Sequence, residues 1–78
     1  MKVYINDVTK IKKVCDICSK YADEVFAVSE NGYRVNAKSL LGLLSLDLSK
    51  EIELIIDTYK NGVERDFERS IKNVLGGE

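Results

Sequence analysis

Seventy-eight residues, 45% hydrophobic and 32% charged, suffice for one folded domain and are too few for two cores. With 12 Lys and Arg against 13 Asp and Glu the net charge is −1, which leaves no basic field to hold nucleic acid or an anionic membrane. There is no His and no Pro, so imidazole acid–base chemistry, His-based triads and phosphohistidine are excluded within the chain, as is any proline-rich ligand segment.

The opening Lys2-Val3-Tyr4-Ile5-Asn6 alternates apolar and polar residues, the period of a half-buried strand. Asn6-Asp7 then offer a helix cap, and Val8, Ile11, Val14, Cys15 and Cys18 fall at helical spacing with Lys10, Lys12, Lys13 and Asp16 on the other side, which predicts an amphipathic helix ending near Tyr21. From Glu24 to Ser29 the residues Val25, Phe26 and Val28 predict a strand; Asn31-Gly32 supply a hairpin turn with positive φ; Tyr33, Val35 and Ala37 alternate beyond it. Ser39 to Leu46 reads as a short leucine-rich helix. Glu51 to Asp57 reads as a strand with Ile52, Leu54 and Ile56 on one face, and its opposite face, carrying Glu51 and Glu53, is expected to be wet. Val63, Phe67, Ile71 and Leu75, at steps of four, predict a last helix that stops at Gly76-Gly77.

The order β-α-β-β-α-β-α predicts an α+β fold, a single domain over residues 1–78 with an antiparallel sheet covered on one face by helices. Two Cys are no disulfide framework, no apolar stretch approaches the roughly 20 residues that span a bilayer, and the start of the chain is polar. A reducing, cytoplasmic setting is the expectation.

From Asn31-Gly32 through Val35-Asn36-Ala37-Lys38-Ser39 to Gly42 and Ser45-Leu46 the chain resembles HPr, the small phosphocarrier of the bacterial sugar phosphotransferase system. The family pattern there is a turn, Val-Asn-x-Lys-Ser, and a short apolar helix with Gly at its middle and Ser-Leu at its end. Ser19-Lys20-Tyr21 sits where a similar triplet closes the family's first helix. The resemblance implies an open-faced β-sandwich. It also implies that the leucine-rich helix meets protein partners, among them the HPr kinase/phosphorylase and a transcriptional regulator, and that Ser39 matches the kinase target.

In the family a Gly-Ile-His-Ala-Arg-Pro stretch places the phosphorylated His at the start of the first helix, where free backbone N–H groups and the helix dipole receive the phosphoryl group. This sequence has Asn6-Asp7-Val8-Thr9-Lys10 instead. Counting back from Ser19 puts Asp7 at the His position and Thr9 at the Arg position; counting back from Ser39 gives Val8, because the hairpin carries one extra residue. Either way the chain carries no phosphohistidine.

Each remaining motif has a plain reading beside a functional one. Asp7 reads as a helix cap before a fixed negative charge where the family carries phosphate, or an acceptor forming an acyl phosphate. Cys15-Asp16-Ile17-Cys18 is a CxxC two turns inside a helix, where core packing fits better than a redox pair or half a zinc site; the alternative it supports is a redox- or metal-responsive protein. Lys10, Lys12 and Lys13 read as a solvated face before a basic patch for an anionic partner, and Gly42 as a close approach by another backbone or by a partner, or as a mild local defect.

On the leucine-rich helix, Leu40, Leu41 and Leu44 span one side and Leu43 and Leu46 another, so a short surface helix cannot bury all five. The expected function is that of a non-catalytic HPr-like interaction protein of bacterial type, docking through Lys38, Leu40, Leu41 and Leu44 and switched at Ser39. No cofactor, metal, nucleic-acid or membrane partner is expected. A scaffold subunit unrelated to sugar transport is a further alternative.

Overall fold

Along the strand that ends at Asp57, Ile52, Leu54 and Ile56 are buried while Glu53, Ile55 and Asp57 are exposed, the alternation of a strand packed on one face only. The computed structural model describes residues 1–76. In chain order it contains β1 (Lys2–Val3), α1 (Val8–Ser19), β2 (Glu24–Ser29), β3 (Arg34–Asn36), α2 (Leu40–Leu44), β4 (Ile52–Asp57) and α3 (Val63–Gly76). The α3 stop expected at Gly76-Gly77 falls partly on Gly77, outside the described residues.

The strands form one antiparallel sheet in the order β1-β4-β2-β3. Inward-facing Val25, Ala27, Ile52 and Leu54 join Ile11, Val14 and Cys18 of α1, Leu43 of α2, and Phe67 and Ile71 of α3 in one core. The long and short dimensions, 32 and 18 Å, are those of one sheet under one layer of helices.

The structure departs from the sequence reading at the ends of β1 and α1 and in the burial of Val8. The first strand stops at Val3 instead of Asn6, because its partner β4 begins at Ile52, opposite Val3, and leaves Tyr4 nothing to pair with. Ile5 is nevertheless fully buried as the chain turns into α1. Val8, expected in the apolar stripe, is 55% exposed; the buried stripe of α1 is Ile11, Val14 and Cys18, with Cys15 half-buried. The helix ends at Ser19, where Lys20 N–H donates to the Ile17 carbonyl at 3.1 Å and Tyr21 N–H to the Cys18 carbonyl at 3.2 Å, tightening the last turn.

The hairpin closes through Ser29 and Tyr33, whose backbones bond at 2.9 Å, around the three-residue loop Glu30–Gly32. Within this loop Gly32 has positive φ, at 88°, and Asn31 does not. This is a three-residue loop with glycine in the left-handed position, in place of a two-residue turn that needs both. The Asn31 side chain is spent on the Ser29 hydroxyl and on Tyr33 N–H.

Candidate partner-binding site

Three segments meet around Lys38: the end of β3, the second half of α1 and the start of α2. Lys38 N–H donates to Asn36 Oδ1 at 2.9 Å, its carbonyl accepts from Cys15 Sγ at 3.3 Å, and its Nζ donates to the Tyr21 carbonyl at 2.6 Å. The half-buried ammonium thus satisfies a carbonyl just past the C-terminus of α1, where a positive charge also suits the helix dipole. Tyr21 is held in turn: its hydroxyl donates to Asp66 Oδ2 at 2.6 Å, and its ring meets Phe67 edge-on with centroids 5.5 Å apart, joining α1 to α3.

This anchored base positions the N-cap of α2. Ser39 has extended backbone, φ −100° and ψ 115°, and its Oγ accepts from Gly42 N–H at 3.1 Å. Gly42 is where the backbones close in: a Cβ there would sit 3.3 Å from the Asn36 carbonyl oxygen and 3.3 Å from Ser39 Oγ. The close approach read from the sequence therefore exists, and the approaching backbone is that of Asn36.

The helical angles separate Leu41 and Leu44 from Leu43 as expected, but α2 ends at Leu44, short of the Leu46 end read from the sequence. Leu43 and Leu46 are buried at 0% and 6%, while Leu41 is 81% exposed and Leu44 39%. Leu40, grouped with the exposed pair in the sequence reading, is half-buried against the core. The exposed apolar surface of α2 thus rests on Leu41 and Leu44, beside a Ser39 that is itself exposed.

At the start of α1, Asp7 is the N-cap and Val8 the first helical residue; Asp7 Oδ1 accepts from Thr9 N–H at 2.8 Å. A carboxylate thus occupies the N-terminal cap. Cys15 and Cys18 are free thiols on one side of α1. Burial pushes the Cys18 thiol up to about 12, with Cys15 nearby adding to the rise and Lys38 opposing it. A thiol held protonated is a poor nucleophile and a poor metal ligand. Among the described residues no three Cys, Asp or Glu side chains converge as a metal-binding group would, and no helix is long and apolar enough to cross a membrane.

No family model matches the chain, and no curated protein matches it. Among solved structures it is similar to the crystal structure of the catabolite repression containing protein Crh of Bacillus subtilis, with a TM-score of 0.68 over 100% of this chain and 86% of that one. The fold is HPr-like. At 22% sequence identity the likeness to Crh is one of fold, with the same open sheet under three helices. Crh itself crystallised as a swapped dimer.

Sequence reasoning missed the Lys38–Tyr21 and Cys15–Lys38 contacts. They join residues 17 and 23 positions apart, and no local spacing signals them.

Proposed function

We propose that this chain is a non-enzymatic HPr-like protein of the phosphotransferase-system type that docks protein partners through α2 and is switched by phosphorylation of Ser39. The observation that carries the reading is Leu41: an 81% exposed leucine on a helix whose cap is an exposed serine. Docking uses Leu41 and Leu44 as the apolar contact, with Leu40 lining their base. Lys38 contributes by fixing the cap, since its ammonium already serves Tyr21.

Phosphate on Ser39 adds about −1.5 to −2 charge at the edge of the leucine surface. Its oxygens replace the hydroxyl as acceptor for Gly42 N–H, so the fold is retained while the surface presented to a partner changes sign. A partner presenting Arg gains, and one presenting carboxylates is repelled. Asp7 supports the non-carrier half of the reading. It holds a permanent carboxylate at the helix start where HPr proteins carry their phosphorylated His, and the chain contains no His to receive a phosphoryl group.

The test is incubation with an HPr kinase and ATP, followed by mapping of the modified residue by mass spectrometry. Modification of Ser39, absent in Ser39→Ala, is the expected result. No modification by a kinase that is active on its ordinary HPr substrate removes the switch.

A further inference from the structure

The face of the sheet turned away from the helices is more apolar than a merely solvated face needs to be. Across the two central strands Phe26 of β2 stands opposite Ile55 of β4, which is 41% exposed, and Val28 lies next along β2 on the same side. The helical layer packs on the opposite, inward face, so none of the three helices covers this strip. Arg34 of the edge strand β3 lies over the Phe26 ring, 4.0 Å from its centre, and partly covers the strip.

Charge around the strip is one-sided. In register, Glu24 stands opposite Asp57 at one end, a like-charge pair on adjacent strands that disfavours the sheet. At the other end Lys2, Val28, Ser29, Glu30, Glu51 and Glu53 line an open hollow of about 230 Å³. The five carboxylates Glu24, Glu30, Glu51, Glu53 and Asp57 outnumber Lys2, Arg34 and Lys50, the last of which reaches Glu30 at 3.9 Å. The helical layer, on the other side of the sheet, carries Lys10, Lys12 and Lys13 on α1 and Lys20 at its C-cap.

From this juxtaposition we infer that the open sheet face is a second docking surface, and that its occupant is a basic amphipathic segment of a partner protein. Apolar side chains of that segment cover Phe26, Val28 and Ile55. One long basic side chain enters the hollow between Glu30, Glu51 and Glu53, and another lies between Glu24 and Asp57, relieving their repulsion. The chemistry differs from that of α2, where the exposed groups are leucines and a serine, so the inference does not rest on the α2 reading. The α1 surface of a second copy supplies base but, apart from Val8 at its first turn, no fully exposed apolar residue to cover the strip. That favours a separate partner over self-association.

The experiment is an NMR titration of the isotope-labelled protein with a short amphipathic peptide of leucine, lysine and arginine, and with its glutamate-substituted counterpart as control. We expect the basic peptide to shift Phe26, Val28, Glu53 and Ile55 while leaving Leu41 and Leu44 unmoved. Binding should weaken at least tenfold in Ile55→Ser and in Glu51→Lys, and should weaken steeply with added salt. Both variants replace exposed side chains, and unchanged spectra elsewhere verify their fold. Equal binding of the acidic peptide, shifts confined to α2, or no shifts at all would overturn the inference. So would shifts of Ile55 that follow protein concentration without peptide, because a second copy would then be the occupant.

Discussion

Cys15 Sγ donates to the Lys38 carbonyl across 3.3 Å, tying the middle of α1 to the residue that precedes the Ser39 cap. The same lysine reaches back to the Tyr21 carbonyl at 2.6 Å. The start of α2 is thus held at two points, one on α1 and one just past its end, which gives a five-residue helix, too short to persist alone, a fixed place on the surface.

Lys38→Met keeps the apolar stem and removes the charged donor. Hydrogen bonds to charged groups contribute about 1.5–3 kcal/mol, and the loss should fall in that range by urea denaturation. Amide exchange at Gly42 and Leu43 should accelerate more than exchange in β4. Unchanged stability with unchanged exchange would show that the ammonium serves only solvation.

The leucines of α2 should separate cleanly by substitution. Leu41→Lys is expected to leave the thermal midpoint nearly unmoved, within about 1 kcal/mol, because the side chain meets solvent. Leu43→Ala, at a fully buried position, should cost roughly 2–5 kcal/mol. Loss of cooperative unfolding in Leu41→Lys would mean that this leucine belongs to the core.

Alkaline titration should expose the buried thiol. The folded-state pKa of Cys18 is raised from 9.0 to about 12, so between these values the unfolded chain loses a proton that the folded chain keeps. The stability associated with the neutral thiol is fully present below pH 9.0, and falls as pH rises toward about 12. Tyr21, whose hydroxyl is also raised by burial and by its bond to Asp66, adds to the decline in the same direction. Cys18→Ala should flatten most of the alkaline slope measured by denaturation at successive pH values, and Tyr21→Phe a smaller part. A slope unchanged in Cys18→Ala would show that this thiol is not the group responsible.

Asp7→Ala should lower stability by about 0.5–2 kcal/mol through loss of the bond to Thr9 N–H. Phosphoenolpyruvate with the first enzyme of the sugar system should leave the wild-type protein unlabelled. Acid-labile label that disappeared in Asp7→Asn would instead make Asp7 an acyl-phosphate acceptor.

The elements were legible because their periods are clean. Ile52, Leu54 and Ile56 alternate without interruption, and Phe67 and Ile71 lie one helical repeat apart, so strand and helix could be told apart locally. The errors came where tertiary pairing decides. Tyr4 has strand character but no partner, and Val8 has helical spacing but precedes the part of α1 that reaches the core. On α2, angles alone separated Leu41 from Leu43, but the half-burial of Leu40 depends on how the helix tilts onto the core. The Lys38 anchor and the Arg34–Phe26 contact had no sequence signature, since both are set by register and by elements brought together from separate parts of the chain.

The most direct measurement is the rate at which an HPr kinase and ATP modify Ser39 in the wild type and in Leu41→Lys, with the site mapped in each. A docking face on α2 predicts modification of Ser39 in the wild type and at least a tenfold lower kcat/KM in Leu41→Lys, with the fold of the variant intact. Equal rates in the two proteins, or label that persists in Ser39→Ala, would contradict a leucine docking face switched at its capping serine.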